Sequence, residues 1–214
     1  YEITTRLVGS EMCIRDSAKV MDMAEYARRE INEIGGYYAY GKELVNGTSV
    51  YDYDVTKLSV HTLGLGLAGI EVYDLLRDEY DIQIEFGDVS NILAYISIGD
   101  RLQDIERLVG ALADIARIYK KDSTGMLSGE FISPIVARSP QEAFYSAKES
   151  LPVEKTEGRI SGEFVMCYPP GIPILAPGEM ITDEIIQYIL YVKEKGCSMQ
   201  GTEDKSVNKL KVLV

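Results

Sequence analysis

The sequence predicts an α/β chain, a mixture of amphipathic helices and short strands. Apolar residues recur with helical spacing in some windows and alternate with period two in others. Glycine and proline clusters separate these windows. The chain has 214 residues, 46% of them hydrophobic, enough for one large domain or two small ones with separate cores.

Taken in order, residues 1–17 do not read as sequence shaped by folding. The run Leu7 to Ser17 (LVGSEMCIRDS) resembles a translated sequencing-adaptor read-through, so the native sequence is expected to begin near Ala18 with its upstream part missing. From Ala18 to Ile34, Val20, Met23, Ala24, Ala27 and Ile31 follow helical spacing, and Gly35-Gly36 ends the helix. Tyr37 to Val50 is irregular and rich in tyrosine, and Asn46-Gly47-Thr48 reads as a tight turn rather than a glycosylation acceptor. Lys57 to Thr62 alternates as a strand, a glycine turn follows, and a helix is predicted over Ala68 to Glu79. Ile82, Ile84 and Phe86 alternate again, and Asn91 to Ile98 reads as a more buried strand. Asp100 is expected to cap a helix from Arg101 to Lys120, with Leu102, Ile105, Leu108, Leu112, Ile115 and Ala116 on one stripe.

Composition changes over Asp122 to Gly129, a Ser/Thr/Gly stretch read as a domain boundary. Beyond it, Ser139-Pro140-Gln141-Glu142 is a capping box with proline at the first helical position, and its helix is predicted to reach Glu149. Phe164 to Cys167 reads as a strand. Thr182, followed by Asp183 and Glu184, starts a helix through Lys195 that Gly196 stops. The tail Lys209 to Val214 alternates like an edge strand.

The net charge of −12 argues against nucleic acid as partner and against anionic membrane surfaces. No apolar run approaches the roughly 20 residues that span a bilayer. Three separated cysteines (Cys13, Cys167, Cys197) make neither a disulfide framework nor a zinc site, and a cytoplasmic protein is expected.

Several constellations carry possible chemistry. Gly64-Leu65-Gly66-Leu67-Ala68-Gly69 is a GxGxxG between a predicted strand and helix, with Glu85 and Asp88 about twenty residues on, the spacing of a dinucleotide-binding fingerprint. Against that reading, His61 and Thr62 make the preceding strand too polar for a buried parallel sheet, and too few strands follow. Glycines that permit tight strand-to-helix packing explain it better. His61, the one histidine, has no partner at metal-ligand spacing. Glu85 and Asp88 fit an acid/base pair or solvated carboxylates, and Arg159 and Glu163 are placed to pair across a turn. Tyr168 to Glu179, YPPGIPILAPGE, puts four of the seven prolines within nine positions. No helix runs through it and a central strand holds little of it. Ile172, Ile174 and Leu175 imply that it is packed, so it reads as a stiff loop presenting a group such as Glu179 at a fixed place.

The segment Gly158 to Glu163 followed by YPPGIPILAPGE resembles the C-terminal domain of the bacterial Orn/Lys/Arg decarboxylases, pyridoxal 5'-phosphate enzymes of the aspartate-aminotransferase fold. Ser139 to Phe144, the Gly64 to Gly69 turn and EFGDVSNILAYISIGD (Glu85 to Asp100) extend the resemblance over nearly everything after Ala18. Gln141 departs from it, since arginine is expected there in many relatives. The resemblance implies that residues 18–123 are the small domain of this fold type I and that 131–214 are the family's C-terminal domain. It implies decarboxylation of arginine, lysine or ornithine in polyamine metabolism, by a homodimer or higher homo-oligomer. The Schiff-base lysine follows Ser-x-His in such enzymes and has no counterpart here. Lys57, Lys120 and Lys121 do not stand in that context, so no catalytic residue and no activity are expected of this chain alone. Its expected contribution is recognition of the basic amino acid's distal cation by Glu179, with Tyr168, Pro170 and Gly171 shaping the pocket. The alternative for Glu179 is a cap on the helix beginning near Thr182. A stand-alone acidic protein-binding module remains the rival from another class.

Overall fold

The computed structural model describes residues 2–122, 132–168 and 170–214, with side chains described from residue 16. The chain forms two compact units, residues 1–124 and 125–214. The Ser/Thr/Gly stretch read as a boundary lies, from residue 123, outside the described residues.

In the first unit, α1 spans Glu2–Glu33 and so continues N-terminal to the helix predicted from Ala18. Its apolar stripe of Val20, Met23, Ala24, Ala27 and Ile31 is buried as the spacing requires. Gly36, at φ +99°, turns the chain out of the helix. Four strands follow: β1 (Tyr38–Ala39), β2 (Lys57–His61), β3 (Phe86–Gly87) and β4 (Asn91–Tyr95). They form one antiparallel sheet in the order β1-β2-β4-β3. Val60 pairs with Ala39 and Ile92, and Leu58 with Ala94, which puts one face of Ala39, Leu58, Val60, Ile92 and Ala94 into the core. Period-two pleating makes that face continuous. The helices α2 (Gly69–Tyr80) and α3 (Leu102–Ile118) complete the core with Val72, Leu76, Leu112 and Ile115.

Four expectations need correction here. The Ile82-Ile84-Phe86 alternation yields only the two-residue β3, because pairing with β4 is confined to Phe86 and Gly87. Strand β4 stops at Tyr95. Asp100 does not cap α3. Its carboxylate accepts from Ser97 N at 2.6 Å, and Asp104 receives the Arg101 N–H at 3.0 Å instead. Leu102 lies on the predicted stripe but is 48% exposed, since the first turn of α3 overhangs the core.

A buried arginine fastens the irregular tyrosine-rich stretch. Arg28 is 4% exposed and donates to Tyr40 O at 2.5 Å, Val55 O at 3.0 Å and the Glu25 carboxylate at 2.6 Å. The charge is tolerated because each of these acceptors faces it directly. Asn46 closes the predicted tight turn, its Oδ1 accepting from the amides of Thr48, Ser49 and Val50.

In the second unit, α4 (Pro140–Tyr145) opens on the predicted capping box. Ser139 Oγ accepts from Glu142 N at 3.2 Å, and the Glu142 carboxylate receives Ser139 N at 2.9 Å. The helix does not reach Glu149. Residues Lys148–Pro152 form β5, paired antiparallel along its length with β9 (Lys209–Leu213). Strand β6 (Val165–Tyr168) lies between β7 (Ile172–Leu175) and β8 (Ser198–Gln200). Helix α5 (Asp183–Glu194) starts at Thr182, whose Oγ1 accepts from Ile185 N at 3.3 Å, and is followed by Gly196 at φ +79°. Its face of Ile185, Ile186 and Ile189 joins Val165, Leu175 and Leu210 in a second core.

Candidate functional site

The proline segment folds as a hairpin rather than as an irregular loop. Strand β7 carries Pro173 within a ladder, opposite Met166. It is tolerated because β7 is an edge strand, paired on one side to β6, and because the register shifts by a bulge between Val165 and Met166. At the tip, Gly171 adopts φ +91° and donates its N–H to Cys167 O at 2.8 Å. Of the three apolar residues expected to be packed, Leu175 is fully buried and Ile174 half-buried, whereas Ile172 is 68% exposed near the tip.

The base of the hairpin is locked to the Gly158–Glu163 segment. Gly158 N donates to Ile181 O and Ile181 N to Arg159 O, each at 2.8 Å. Ser161 N donates to Glu179 O at 2.8 Å, and Gly178 N to Ser161 O at 2.9 Å. Two motifs that the sequence shows as neighbours are thus one hydrogen-bonded structure. Gly178 is required at its place: its φ is +94°, and a Cβ there would lie 2.3 Å from Arg138 O.

This geometry separates the residues expected to build one pocket. Tyr168, Pro170 and Gly171 cluster at the tip, where Tyr168 is 50% exposed. Glu179 lies beyond the far end of β7, four strand residues away, roughly 13 Å at the usual rise. Its carboxylate accepts from Ala176 N at 2.8 Å, and its own N–H donates to Ala176 O at 3.2 Å. Glu179 therefore closes its own turn. The cap of α5 is Thr182, so the helix-capping alternative is corrected as well.

Arg159 and Glu163 do not pair with each other. Arg159 Nη2 donates to Glu149 Oε1 at 2.6 Å and to Leu213 O at 2.7 Å, while Glu163 accepts the amides of Glu203 and Lys211, each at 2.8 Å. Both reach partners far along the chain, which no local spacing reveals. Sequence reading also passed over Ser161, which is fully buried with Oγ donating to Glu163 O at 2.7 Å. Its only sequence signal is its place between Arg159 and Glu163.

The glycine turn opens α2 in an antiparallel sheet, not in the parallel crossover that a dinucleotide fingerprint needs. The helix N-terminus is already engaged, with Ile70 N donating to Asp88 O at 2.7 Å and Ala68 N to the Glu71 carboxylate at 2.8 Å. A Cβ on Gly69 would lie 1.9 Å from Asn91 O, and one on Gly64 would lie 2.6 Å from Gly36 O. These glycines serve close packing. Asp88 Oδ1 accepts the amides of Ser90 and Asn91, so it shapes a turn. His61 Nδ1 stands 3.3 Å from Asn91 Oδ1, and no group of metal-binding side chains occurs among the described residues.

A Schiff-base lysine must shed its proton near neutral pH, which requires desolvation. Among the described residues no lysine is buried. Lys57 lies over the Tyr95 ring at 3.4 Å, and Lys121 pairs with Glu71 at 2.7 Å. The described residues therefore do not fit the covalent anchorage of pyridoxal phosphate. No described helix is long and apolar enough to cross a membrane.

Comparison with known proteins places these motifs in a family. Residues 128–205 match the family model described as Orn/Lys/Arg decarboxylase, C-terminal domain. The chain is 38% identical over 198 residues to the arginine decarboxylase of Bacillus subtilis, covering 91% of this chain and 40% of that protein. It is 39% identical over 199 residues to the arginine decarboxylase of Halalkalibacterium halodurans, again covering 90% of this chain and 40% of the relative. Among solved structures, the lysine decarboxylase of Francisella novicida shares the fold at a TM-score of 0.64 and 19% identity, covering 95% of this chain and 41% of that one. The constitutive lysine decarboxylase of Escherichia coli aligns at the same TM-score, with 18% identity, 96% and 41%. The chain spans about two fifths of the length of the curated relatives it matches. With the interlocked glycine–arginine and proline motifs inside the matched region, residues 128–205 belong to the Orn/Lys/Arg decarboxylase C-terminal domain family.

Proposed function

We propose that this chain is part of a pyridoxal-phosphate-dependent decarboxylase of a basic amino acid, with arginine favoured as substrate. The observation that carries this is the 38–39% identity, over about nine tenths of the chain, to proteins named arginine decarboxylase. Residues 18–123 then correspond to the small domain of the aminotransferase-like fold and 131–214 to the family's C-terminal domain. Residues 1–17 are an appended segment. The cofactor supplies the electron sink for loss of the α-carboxylate when it is bound. This chain's own part is to orient and enclose: the exposed hairpin tip of Tyr168, Pro170 and Gly171 is the element offered to substrate or to a neighbouring domain. Glu179 is assigned to holding the base of that hairpin rather than to the substrate cation. The whole enzyme acts as a homodimer or higher homo-oligomer in the cytoplasm, and the chain by itself is inactive.

The test is to recover the coding sequence upstream of Ala18, express the joined protein and follow release of carbon dioxide from arginine, lysine and ornithine. An upstream frame containing Ser-x-His-Lys and release from one of these substrates is expected. Release by the 214-residue chain alone, or none by the joined protein with cofactor bound, would sink the reading.

A further inference from the structure

Arg138 and Arg159 line one groove of about 600 Å³ in the second unit, with Glu142, Tyr145, Ile160 and Leu213. That volume falls in the range of small-molecule sites, roughly 300–1,000 Å³. Both arginines stand on fixed backbone. Ala137 N and Arg138 N donate to the same Gly178 O, each at 2.9 Å, and Arg159 O accepts from Ile181 N at 2.8 Å. The tight turn of the proline motif therefore sets where both guanidiniums start.

Their donors are unequally used. Arg159 spends Nη2 on Glu149 and Leu213 O. Among the described residues, its Nε and Nη1 and the whole guanidinium of Arg138 have no hydrogen-bond partner, and Arg138 has no ion pair. The nearby carboxylates are already engaged. Glu149 is held by Arg159, and Glu142 receives Ser139 N and Oγ, each at 2.9 Å. Arginine stays protonated, and Arg138 is exposed, so water meets these donors until a ligand with acceptor oxygens displaces it. Planar guanidinium forks suit the paired oxygens of a phosphate or carboxylate. Ile160 and Leu213 add apolar wall for the rest of a ligand. A chain of net charge −12 repels anions generally, and in this groove two arginines stand beside the carboxylates of Glu142 and Glu149, so an anion enters here only by hydrogen bonding to their remaining donors.

We propose that this groove is an oxyanion-binding site, receiving a small ligand through a phosphate or carboxylate group at Arg138 and Arg159. It stands independently of the decarboxylase reading. The test is a nuclear magnetic resonance titration of the full chain with inorganic phosphate and, separately, acetate, at ionic strength held constant with chloride. Saturable shifts at residues 138, 142–146 and 158–160 are expected. Arg138→Ala should weaken binding by roughly tenfold or more, with Arg138→Lys in between. Its thermal midpoint should move little, because among the described residues the guanidinium makes no hydrogen bond or ion pair and acts only at a distance on the exposed Glu142 carboxylate. Arg117→Ala removes the same charge from the first unit and should leave binding intact. Saturation by phosphate alone supports a phosphorylated ligand, and saturation by acetate supports a carboxylate ligand. No saturable binding of either probe, equal weakening by Arg117→Ala, or undiminished binding in Arg138→Ala would overturn the assignment.

Discussion

Replacing Glu179 distinguishes a carboxylate that holds the hairpin from one that meets a substrate. In the structure it accepts one backbone N–H, from Ala176 at 2.8 Å, and is half-buried. A hydrogen bond to a charged group contributes about 1.5–3 kcal/mol. Water reaches this turn, so the value is discounted toward about 1 kcal/mol. Glu179→Ala removes the acceptor, whereas Glu179→Gln keeps an oxygen and loses the charge, for about half the effect. The unit involved spans residues 125–214. For a domain of that size, about 1 kcal/mol moves the thermal midpoint by about 4–8 °C. Calorimetry of the full chain should therefore show the transition of the second unit falling by that amount in Glu179→Ala, and by about half in Glu179→Gln. Hydrogen exchange should quicken at residues 176–179. An unchanged midpoint and unchanged exchange in Glu179→Ala would refute the turn-closing role and return the carboxylate to ligand binding.

Gly69→Ala should destabilise the first unit by about 3 kcal/mol or more, because the new Cβ meets backbone on two sides, Asn91 O and Asp88 O. Urea denaturation measures this, and the wild-type chain should leave NADH fluorescence unchanged in titration. Arg28→Met keeps the apolar stem but strands the carbonyls of Tyr40 and Val55, which should cost about 2–4 kcal/mol in denaturation and loosen residues 40–55 to hydrogen exchange. The amide and hydroxyl of Ser139 hold the Glu142 carboxyl below its usual 4.5. A depressed folded value means that its contribution is present above the unfolded value and lost as pH falls through the folded one. Protection of the amides at the N-terminus of α4, relative to their intrinsic exchange rates, should therefore fall as the pH drops below the usual glutamate range, and this dependence should be lost in Glu142→Gln.

Legibility followed the range of the interactions involved. The stripes of α1 and, past its first turn, α3 were readable because a helix declares its buried face within two turns. The Ser139 capping box was readable because its partners lie three residues apart. The helix predicted to Glu149 ends at Tyr145, and from Lys148 pairing with β9, some sixty residues later, outweighs local propensity. Arg159 and Glu163 failed for the same reason, since each finds its partner on a distant segment. Prolines ruled out a helix and a central strand in YPPGIPILAPGE, and the edge position of β7 agrees with both exclusions. They did not reveal that the segment turns back on itself, which left Tyr168 and Glu179 looking closer than they are.

From sequence alone came the mixed fold, the apolar faces of α1 and α3, the caps at Ser139 and Thr182 and the family resemblance carried by the proline motif. All of these rest on chemistry that neighbouring residues write into the chain. Tertiary structure alone decided that Gly158–Glu163 and the Gly178–Ile181 turn are one ladder, that Glu179 serves its own turn, and that Arg138 and Arg159 share a groove. Each of those depends on backbone groups meeting across long stretches of chain, where a carbonyl or amide looks the same whatever residue carries it.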